Sequence, residues 1–302
     1  YALFNAMGGT GTTNTVNIYD NIVENCTYPT ATSGSMSLIH ASATCKNLNI
    51  YNNIVRNNSY SGTSGTTYLV YSASLAADGN ENYYNNNIYG NTSSGTGTVY
   101  GIYSYSVSTA TKQIYGNNIY SNTGGGLISG IHHLAAATCR IYKNNIYDLT
   151  STSALTTTPL VNGILLTSGT NLYTYNNYIS DLKAPSATSI DAIRGISSTS
   201  TATSNSTIGV YYNTVYLNAT SSGANFGTTG IYHIYSTTAT TAALDMRNNV
   251  IVNNSTPSGT GLTVAFRRST FTNLNNFGTT SNNNCFYAGT PATNRLVFYD
   301  GS

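Results

Sequence analysis

The chain has 302 residues, of which only 7% are charged, and eleven Lys and Arg against nine Asp and Glu give it a net charge of +2. The basic residues are scattered and form no stripe that would follow a nucleic-acid backbone, so we expect no nucleic-acid partner. No apolar run approaches the roughly 18 residues of a membrane-spanning helix, so we also expect no membrane insertion.

A short motif recurs along the chain in the form Tyr-x-Asn-x-Ile or Tyr-x-Asn-x-Val. A copy with Met in the first place starts at Met246, and a degenerate copy starts at Ser281. Successive copies are 27 to 36 residues apart, about 33 on average, and the length varies in Ser-, Thr- and Gly-rich stretches that indicate loops. The seven complete copies begin at Tyr19, Tyr51, Tyr84, Tyr115, Tyr142, Tyr175 and Tyr211.

A second motif, a Gly-Ile pair within a short apolar run, lies between successive copies of the first, as at Gly101, Gly130 and Gly230. Both motifs are five to seven residues long, rich in Ile, Val, Tyr and Thr and bounded by Gly, Asn and Ser, which is typical of strands. Two-residue hairpin turns are missing, so each strand is expected to pair in parallel with its copy one repeat away. We predict an all-β, right-handed parallel β-helix of about eight to nine coils, forming one domain over residues 1–302.

The central Asn of the first motif has a physical role in such a coil. A sharp bend between strands favours a residue that tolerates the left-handed region, as Asn does. Asn side chains repeated at strand spacing can also bond amide to amide along the axis. The predicted internal ladder consists of Asn21, Asn53, Asn86, Asn117, Asn144, Asn177, Asn213 and Asn248.

The motif tyrosines are expected on the outer surface. The aliphatic residue before the tyrosine, as in Ile18, Ile50, Ile114 and Ile141, should point inward, and alternation then turns the tyrosine outward. A stripe of exposed rings could stack on sugar faces or dock on another fibre. The alternative is that the rings only stack on each other and stabilise the sheet. The stripe comprises Tyr19, Tyr51, Tyr84, Tyr115, Tyr142, Tyr175 and Tyr211.

Few residues suit chemistry. Among the acids, Asp148 and Asp181 occupy the same place in consecutive repeats, and one coil of separation would suit a retaining pair of carboxylates or a calcium site. Solvated turn carboxylates are the alternative, and the pairs Asp20 with Glu24 and Asp78 with Glu81 are open to the same interpretation. We predict no metal site and no cofactor, with calcium as the alternative. The scarcity of catalytic groups favours a protein that is not an enzyme but leaves that question open.

The remaining ionisable groups and thiols give weaker signals. His40 and His132 occupy equivalent places but not in neighbouring repeats, so they are too far apart to share a metal. Arg267 and Arg268, with the nearby Arg247, form a basic cluster that could contact a sugar carboxylate or serve only solubility. The four cysteines have no metal-binding spacing. Cys26 and Cys45 could form a disulfide within one coil, or all four could be small buried hydrophobes.

The pair of motifs Gly-Ile-Tyr and Ile-Tyr-Asn-Asn-x-Ile, in a Thr-, Ser- and Gly-rich background, resembles the secreted β-helix repeat proteins of Bacteroidetes and related bacteria. The resemblance covers nearly the whole chain and implies a pectate-lyase-like superhelix that is secreted or at the cell surface. Its motifs are structural and specify no activity. The chain is either a mature protein or a fragment of a longer one.

Three functions are open at this point. The first is a structural or adhesive extracellular protein, the protomer of a surface filament that self-associates end to end through uncapped helix ends. The second is a carbohydrate-active enzyme, either a polysaccharide lyase or a glycosidase. The third is a passive module that binds glycans through the tyrosine stripe.

Overall fold

The structure, a computed structural model, describes residues 1–6, 13–30, 32–73, 75–105, 109–156, 159–200, 205–269 and 275–301. Within these ranges the regular structure is entirely β, in three sheets whose strands pair in parallel with the equivalent strand one coil away. The predicted all-β parallel β-helix of about eight coils is therefore confirmed. Successive coils contribute equivalent strands to the same sheet, so equivalent residues form columns along the solenoid axis.

The three sheets are numbered here in the order in which the chain first enters them. Sheet 1 comprises Leu3–Asn5, Met36–Ala41, Thr67–Ser72, Val99–Ser104, Ile128–His133, Val161–Leu166, Ile193–Ser198, Thr228–His233, Thr263–Arg268 and Arg295–Asp300. Sheet 2 comprises Thr15–Tyr19, Asn47–Tyr51, Asn80–Tyr84, Thr111–Tyr115, Thr138–Tyr142, Asn171–Tyr175, Thr207–Tyr211 and Ala243–Arg247. Sheet 3 comprises Ile22–Glu24, Ile54–Arg56, Asn87–Tyr89, Asn118–Gly124, Asn145–Ser151, Tyr178–Lys183, Thr214–Leu217, Val250–Asn253 and Cys285–Tyr287, with the short strands Thr27–Tyr28, Ser59–Tyr60 and Thr92–Ser93.

The core is a set of aliphatic columns enclosed by the three sheets. Ile18, Ile50, Ile114 and Ile141 point inward from sheet 2, as predicted, and are buried. Strand alternation places the neighbouring motif tyrosines on the outer face of the same sheet, where they are exposed or half-buried.

The asparagine ladder lies inside the bend between sheets 2 and 3. The Nδ2 atom of every rung before the last donates to Oδ1 of the Asn in the next coil, at 2.8 to 3.1 Å. Most rungs also donate to a backbone carbonyl of the preceding coil. The rungs are Asn21, Asn53, Asn86, Asn117, Asn144, Asn177, Asn213, Asn249 and Asn284.

Two details of the predicted ladder are wrong. The left-handed backbone conformation belongs to the residue before each rung, such as Asn52 at φ 55° and Asn85 at φ 55°, and not to the rung itself. The preceding residue turns toward solvent and absorbs the bend, while the rung turns its amide inward to the backbone. For the same reason Asn248, at φ 55°, is a bend residue, and Asn249 takes the predicted place in the ladder.

A second, shorter ladder follows the first by five residues and was not predicted. Asn58 Nδ2 donates to Asn91 Oδ1 at 2.8 Å, and Asn91 Nδ2 donates to Asn122 Oδ1 at 2.9 Å. The same column continues through Leu149 and Leu182, so hydrogen bonding gives way to aliphatic packing along it. The signal in the sequence was the constant spacing of five residues between paired asparagines.

The cysteines form no disulfide among the described residues. Cys45 and Cys139 are buried in the core, in agreement with the interpretation as small hydrophobes. Cys26 is half-buried and Cys285 is exposed, so that interpretation is wrong for Cys285.

Candidate functional site

The motif tyrosines of sheet 2 form a continuous stack from Tyr19 to Tyr175. Neighbouring ring centroids are 4.7 to 5.0 Å apart and the ring planes differ by 5° or less. Both faces of the four rings between Tyr19 and Tyr175 are therefore covered by neighbours. These rings offer solvent only their edges and hydroxyls, so stacking of a sugar on them is excluded while the stack is intact.

The stack breaks at Tyr211. Its backbone is in register with that of Tyr175, but its ring lies beside Tyr173, with the centroids 6.4 Å apart. Gly209 explains the break, because a Cβ there would come within 2.6 Å of both Tyr173 and Tyr211. Since Gly209 has no side chain, the Tyr211 ring occupies the space above it instead of continuing the stack.

The break opens a groove of about 440 Å³ on the outer face of sheet 2. This volume lies within the usual range for small-molecule sites. The stack contact of Tyr175 among the described rings is with Tyr142, so the other face of Tyr175 borders the groove. The groove, here named the tyrosine groove, is lined by Arg140, Tyr173, Tyr175, Asn176, Tyr211 and Tyr212.

Tyr212 is an unusual residue for its position. It occupies the bend before the rung Asn213 at φ 54°, where most other coils place Asn, Asp or Gly. A bulky side chain is an outlier in the left-handed region, with a cost of about 1–2 kcal/mol. The side chain is also 60% exposed, so burial in the core does not offset that cost. Strain of this kind is concentrated at functional sites.

Of the charged residues at the groove, Asp245 and Arg247 form an ion pair, whereas Arg140 forms no salt bridge among the described residues. Asp245 is held by two hydrogen bonds from Arg247, at 2.9 and 2.6 Å, and accepts a third from the Tyr211 hydroxyl at 3.1 Å. Burial and the nearby Asp245 raise the pKa of Tyr211 to about 12. The Arg140 guanidinium lies 5.8 Å from the Tyr173 ring centroid and takes part in none of the salt bridges found among the described residues.

The predicted catalytic candidates lie elsewhere, on the surface of sheet 3. Asp148 and Asp181 occupy equivalent bend positions at φ 52° and 50°, and Lys183 Nζ contacts both carboxylates, at 2.7 and 3.0 Å. Partial burial raises the pKa of Asp148, but hydrogen bonds from Lys183 and Ser121 outweigh that effect and leave the pKa below its usual range. A general acid for glycoside cleavage needs a raised pKa, so this arrangement suits turn stabilisation better.

The acids of the other predicted pairs do not act together, because Glu24, Asp78 and Glu81 each pair with a different basic residue. Glu24 is bonded to Arg56 at 2.7 Å and Asp78 to Lys46 at 2.7 Å, both at the surface. Glu81 is fully buried inside the solenoid, where it contacts Lys112 Nζ at 3.2 Å.

The histidines do not converge. Tyr71 and Tyr103 separate His40 from His132 in one column on the outer face of sheet 1, as the spacing of the repeats predicts. His133 points into the core. Over the described ranges, no group of three or more His, Cys, Asp or Glu residues is placed to hold a metal ion.

The predicted basic cluster is split among three places. Arg267 lies on sheet 1 and contacts Asp191 at 3.1 Å, Arg268 is buried in the core beside Asn276, and Arg247 lies on sheet 2. The alternation of the strand sends Arg267 and Arg268 to opposite faces, so a role in surface solubility is wrong for these two buried residues.

The tyrosine groove was not predicted as a unit, although two signals for it exist in the sequence. Gly209 interrupts a strand, which often marks a close approach of other groups. The Tyr-Tyr-Asn at 211–213 places a tyrosine where most other copies have a residue suited to the bend. Arg140 and Tyr173 belong to the strand positions two residues before the motif tyrosines, which the repeat pattern did not single out.

The fold and the groove define a parallel β-solenoid with an aromatic surface groove. No family model, curated protein or solved structure with which the chain was compared matches it. In the part of the chain that the structure describes, no helix is long and apolar enough to cross a membrane.

Proposed function

We propose that this protein binds carbohydrate in the tyrosine groove and serves as an extracellular glycan-binding β-helix. The observation that carries the proposal is Tyr212, an exposed ring held at a strained bend on the wall of the groove. A tyrosine placed there against its conformational preference is best explained by a ligand that uses the ring.

The chemistry of the lining supports a sugar as the ligand. Tyrosine rings provide flat apolar surfaces with a polar tip, which match the C–H faces and hydroxyls of a pyranose. Asn176 adds an amide that can donate to and accept from hydroxyls, and Arg140 adds a cation without a salt bridge among the described residues. Few polar groups among several rings is the usual composition of a small-molecule site.

Two matched variants test the proposal. Tyr212→Asn removes the ring and installs a residue suited to the bend, whereas Lys143→Asn makes the same kind of change at φ 54° outside the groove. Binding to a panel of neutral and uronic-acid oligosaccharides is measured by calorimetry. We expect Tyr212→Asn to weaken binding by about tenfold, the loss of one ring contact, and Lys143→Asn to leave it unchanged. Absence of binding to the whole panel, or equal binding by both variants, contradicts the proposal.

The other functions remain predictions from the sequence. End-to-end assembly into a filament is compatible with glycan binding, because the groove lies on the side of the solenoid. The same proposal includes secretion and a relationship to the Bacteroidetes-type repeat proteins that the sequence motifs resemble. Catalysis is less well supported, because none of the described residues that line the groove is a carboxylate, and Asp245, which accepts a hydrogen bond from Tyr211, lies beside the lining and not in it.

A further inference from the structure

The column of residues that enters the tyrosine groove at Arg140 begins four coils earlier as a row of amides. Asn17, Asn49, Asn82 and Gln113 are in register on the outer face of sheet 2, and Arg140 and Tyr173 continue the same column into the groove. The groove is therefore the end of a longer linear feature that runs along the solenoid axis.

The amides of this row are held in one orientation. Asn49 Nδ2 donates to Asn17 Oδ1 at 2.8 Å, Asn82 Nδ2 donates to Asn49 Oδ1 at 2.9 Å, and Gln113 Nε2 approaches Asn82 Oδ1 at 3.4 Å. A primary amide has two N–H donors and two lone pairs on its oxygen. Each internal amide thus spends one donor and one lone pair on the row and keeps one of each for another partner.

A second row runs beside the first, two residues earlier in each strand. Asn47 Nδ2 donates to Thr15 Oγ1 at 3.2 Å, and Asn80 Nδ2 donates to Asn47 Oδ1 at 3.0 Å. The two rows line a shallow groove of about 320 Å³. The amide track, as it is named here, consists of Thr15, Asn47, Asn49, Asn80, Asn82, Thr111 and Gln113.

The amide track carries no charge. The charged residues of these strands, Glu81 and Lys112, point into the core and pair there. An uncharged surface of fixed donors and acceptors favours a neutral partner rich in hydroxyls over an ionic one, because each hydroxyl both donates and accepts. Preorganised amides also lose little conformational entropy on binding, which favours affinity.

We propose that the amide track extends the tyrosine groove into a site for a linear, neutral polysaccharide chain lying along the solenoid axis. Equivalent strands are about 4.8 Å apart, a distance comparable to the length of one pyranose residue, so each coil would meet one sugar. The ring faces at Tyr175 and Tyr212 hold one end of the chain and the amides bind the hydroxyls of the residues that follow. This inference rests on the proposed function, because it places the same ligand in the same groove.

The test separates the length of the site from its existence. Affinities are measured by calorimetry for β-1,4-linked gluco-, manno- and xylo-oligosaccharides from the disaccharide to the hexasaccharide. The variant Asn49→Thr/Asn82→Thr removes two amides of the track and introduces residues that strands favour. The control Asn87→Thr removes an equivalent amide on sheet 3, where Asn118 Nδ2 donates to Asn87 Oδ1 at 3.2 Å.

We expect the affinity of at least one series to rise about tenfold from the disaccharide to the hexasaccharide, the gain of one or two net hydrogen bonds. The double variant should remove this gain without changing disaccharide binding, and Asn87→Thr should have no effect. Disaccharide binding without any dependence on length or on Asn49 and Asn82 overturns the amide track but leaves the proposed function intact. Absence of all binding overturns both, and dimerisation that the double variant abolishes shows that a second copy of the chain occupies the track instead.

Discussion

Asn86 Nδ2 donates to Oδ1 of Asn117, one coil further along the solenoid, across 2.9 Å, and the backbone N–H of Asn86 donates to the same oxygen at 3.0 Å. Both residues are buried. The side-chain oxygen of Asn117 thus satisfies a backbone group and a side chain of the preceding coil, and the bend between sheets 2 and 3 depends on these two hydrogen bonds.

Asn117→Ala should therefore destabilise the solenoid by about 3 kcal/mol, because it leaves a buried backbone N–H and a buried amide without their acceptor. The matched control is Asn118→Ala, which removes the neighbouring amide from the outer face of sheet 3 and should cost less than about 1 kcal/mol. Denaturant unfolding followed by circular dichroism measures the difference. Equal losses for the two variants would show that the ladder does not stabilise the bend.

Tyr212→Asn should stabilise the protein by about 1 kcal/mol, because Asn tolerates the left-handed conformation at φ 54° better than Tyr. The reverse change, Asn52→Tyr at φ 55°, should destabilise it by a similar amount. Thermal unfolding midpoints of both variants check the prediction. A lower midpoint for Tyr212→Asn would mean that the ring contributes packing in the groove that outweighs the backbone strain, and the argument from strain would fail.

Lys112→Met should destabilise the core by about 3–5 kcal/mol, because Glu81 would remain buried without its cation. Glu81 also accepts hydrogen bonds from the hydroxyls of Ser72 and Tyr83, and these bonds hold its carboxylate in position inside the core. The double variant Glu81→Gln/Lys112→Met removes both charges and should recover at least half of the loss. Chemical unfolding of the two variants decides between these outcomes, and no recovery would show that the pair contributes more than mutual neutralisation.

The repeat could be predicted from the sequence because it depends on residues that recur at fixed spacing. The rung asparagine, as at Asn53, recurs in every copy, and an aliphatic residue, as at Ile50, precedes the motif tyrosine in most copies. Register then determines the sheets. The groove depends instead on departures from the repeat. Gly209 and Tyr212 each occur once at their positions among the equivalent residues of sheet 2 and its bends, so periodicity has no information about them. Strand alternation predicts that the side chains of Glu81 and Lys112 point inward. Their charges, considered residue by residue, predict the opposite, because single charged residues are usually exposed.

Acid should weaken the fold well before the carboxylates titrate. Burial lowers the pKa of His132 to about 4, and burial followed by the nearby Arg268 lowers the pKa of His233 to about 3, from an ordinary value of 6.5. Above pH 6.5 both imidazoles are neutral in the folded and unfolded states, and their contribution to stability is complete. As the pH falls below 6.5 the unfolded chain takes up protons that the folded chain does not, so the free energy of unfolding decreases down to about pH 4, by up to about 3 kcal/mol for His132.

Below that window Asp148 and Asp245 add a separate loss, because their pKa values lie below the usual 3.8 in the folded state and their ion pairs are lost on protonation. His132→Phe keeps a ring against Tyr103, now 4.8 Å from the imidazole, and removes the titration. Thermal midpoints of the two proteins from pH 7.5 to pH 4 should diverge, with the variant losing less stability on acidification. Parallel curves would place the acid sensitivity in groups other than His132. A histidine that is neutral in the folded chain and protonated in the unfolded chain makes stability depend on pH, so its replacement must reduce that dependence.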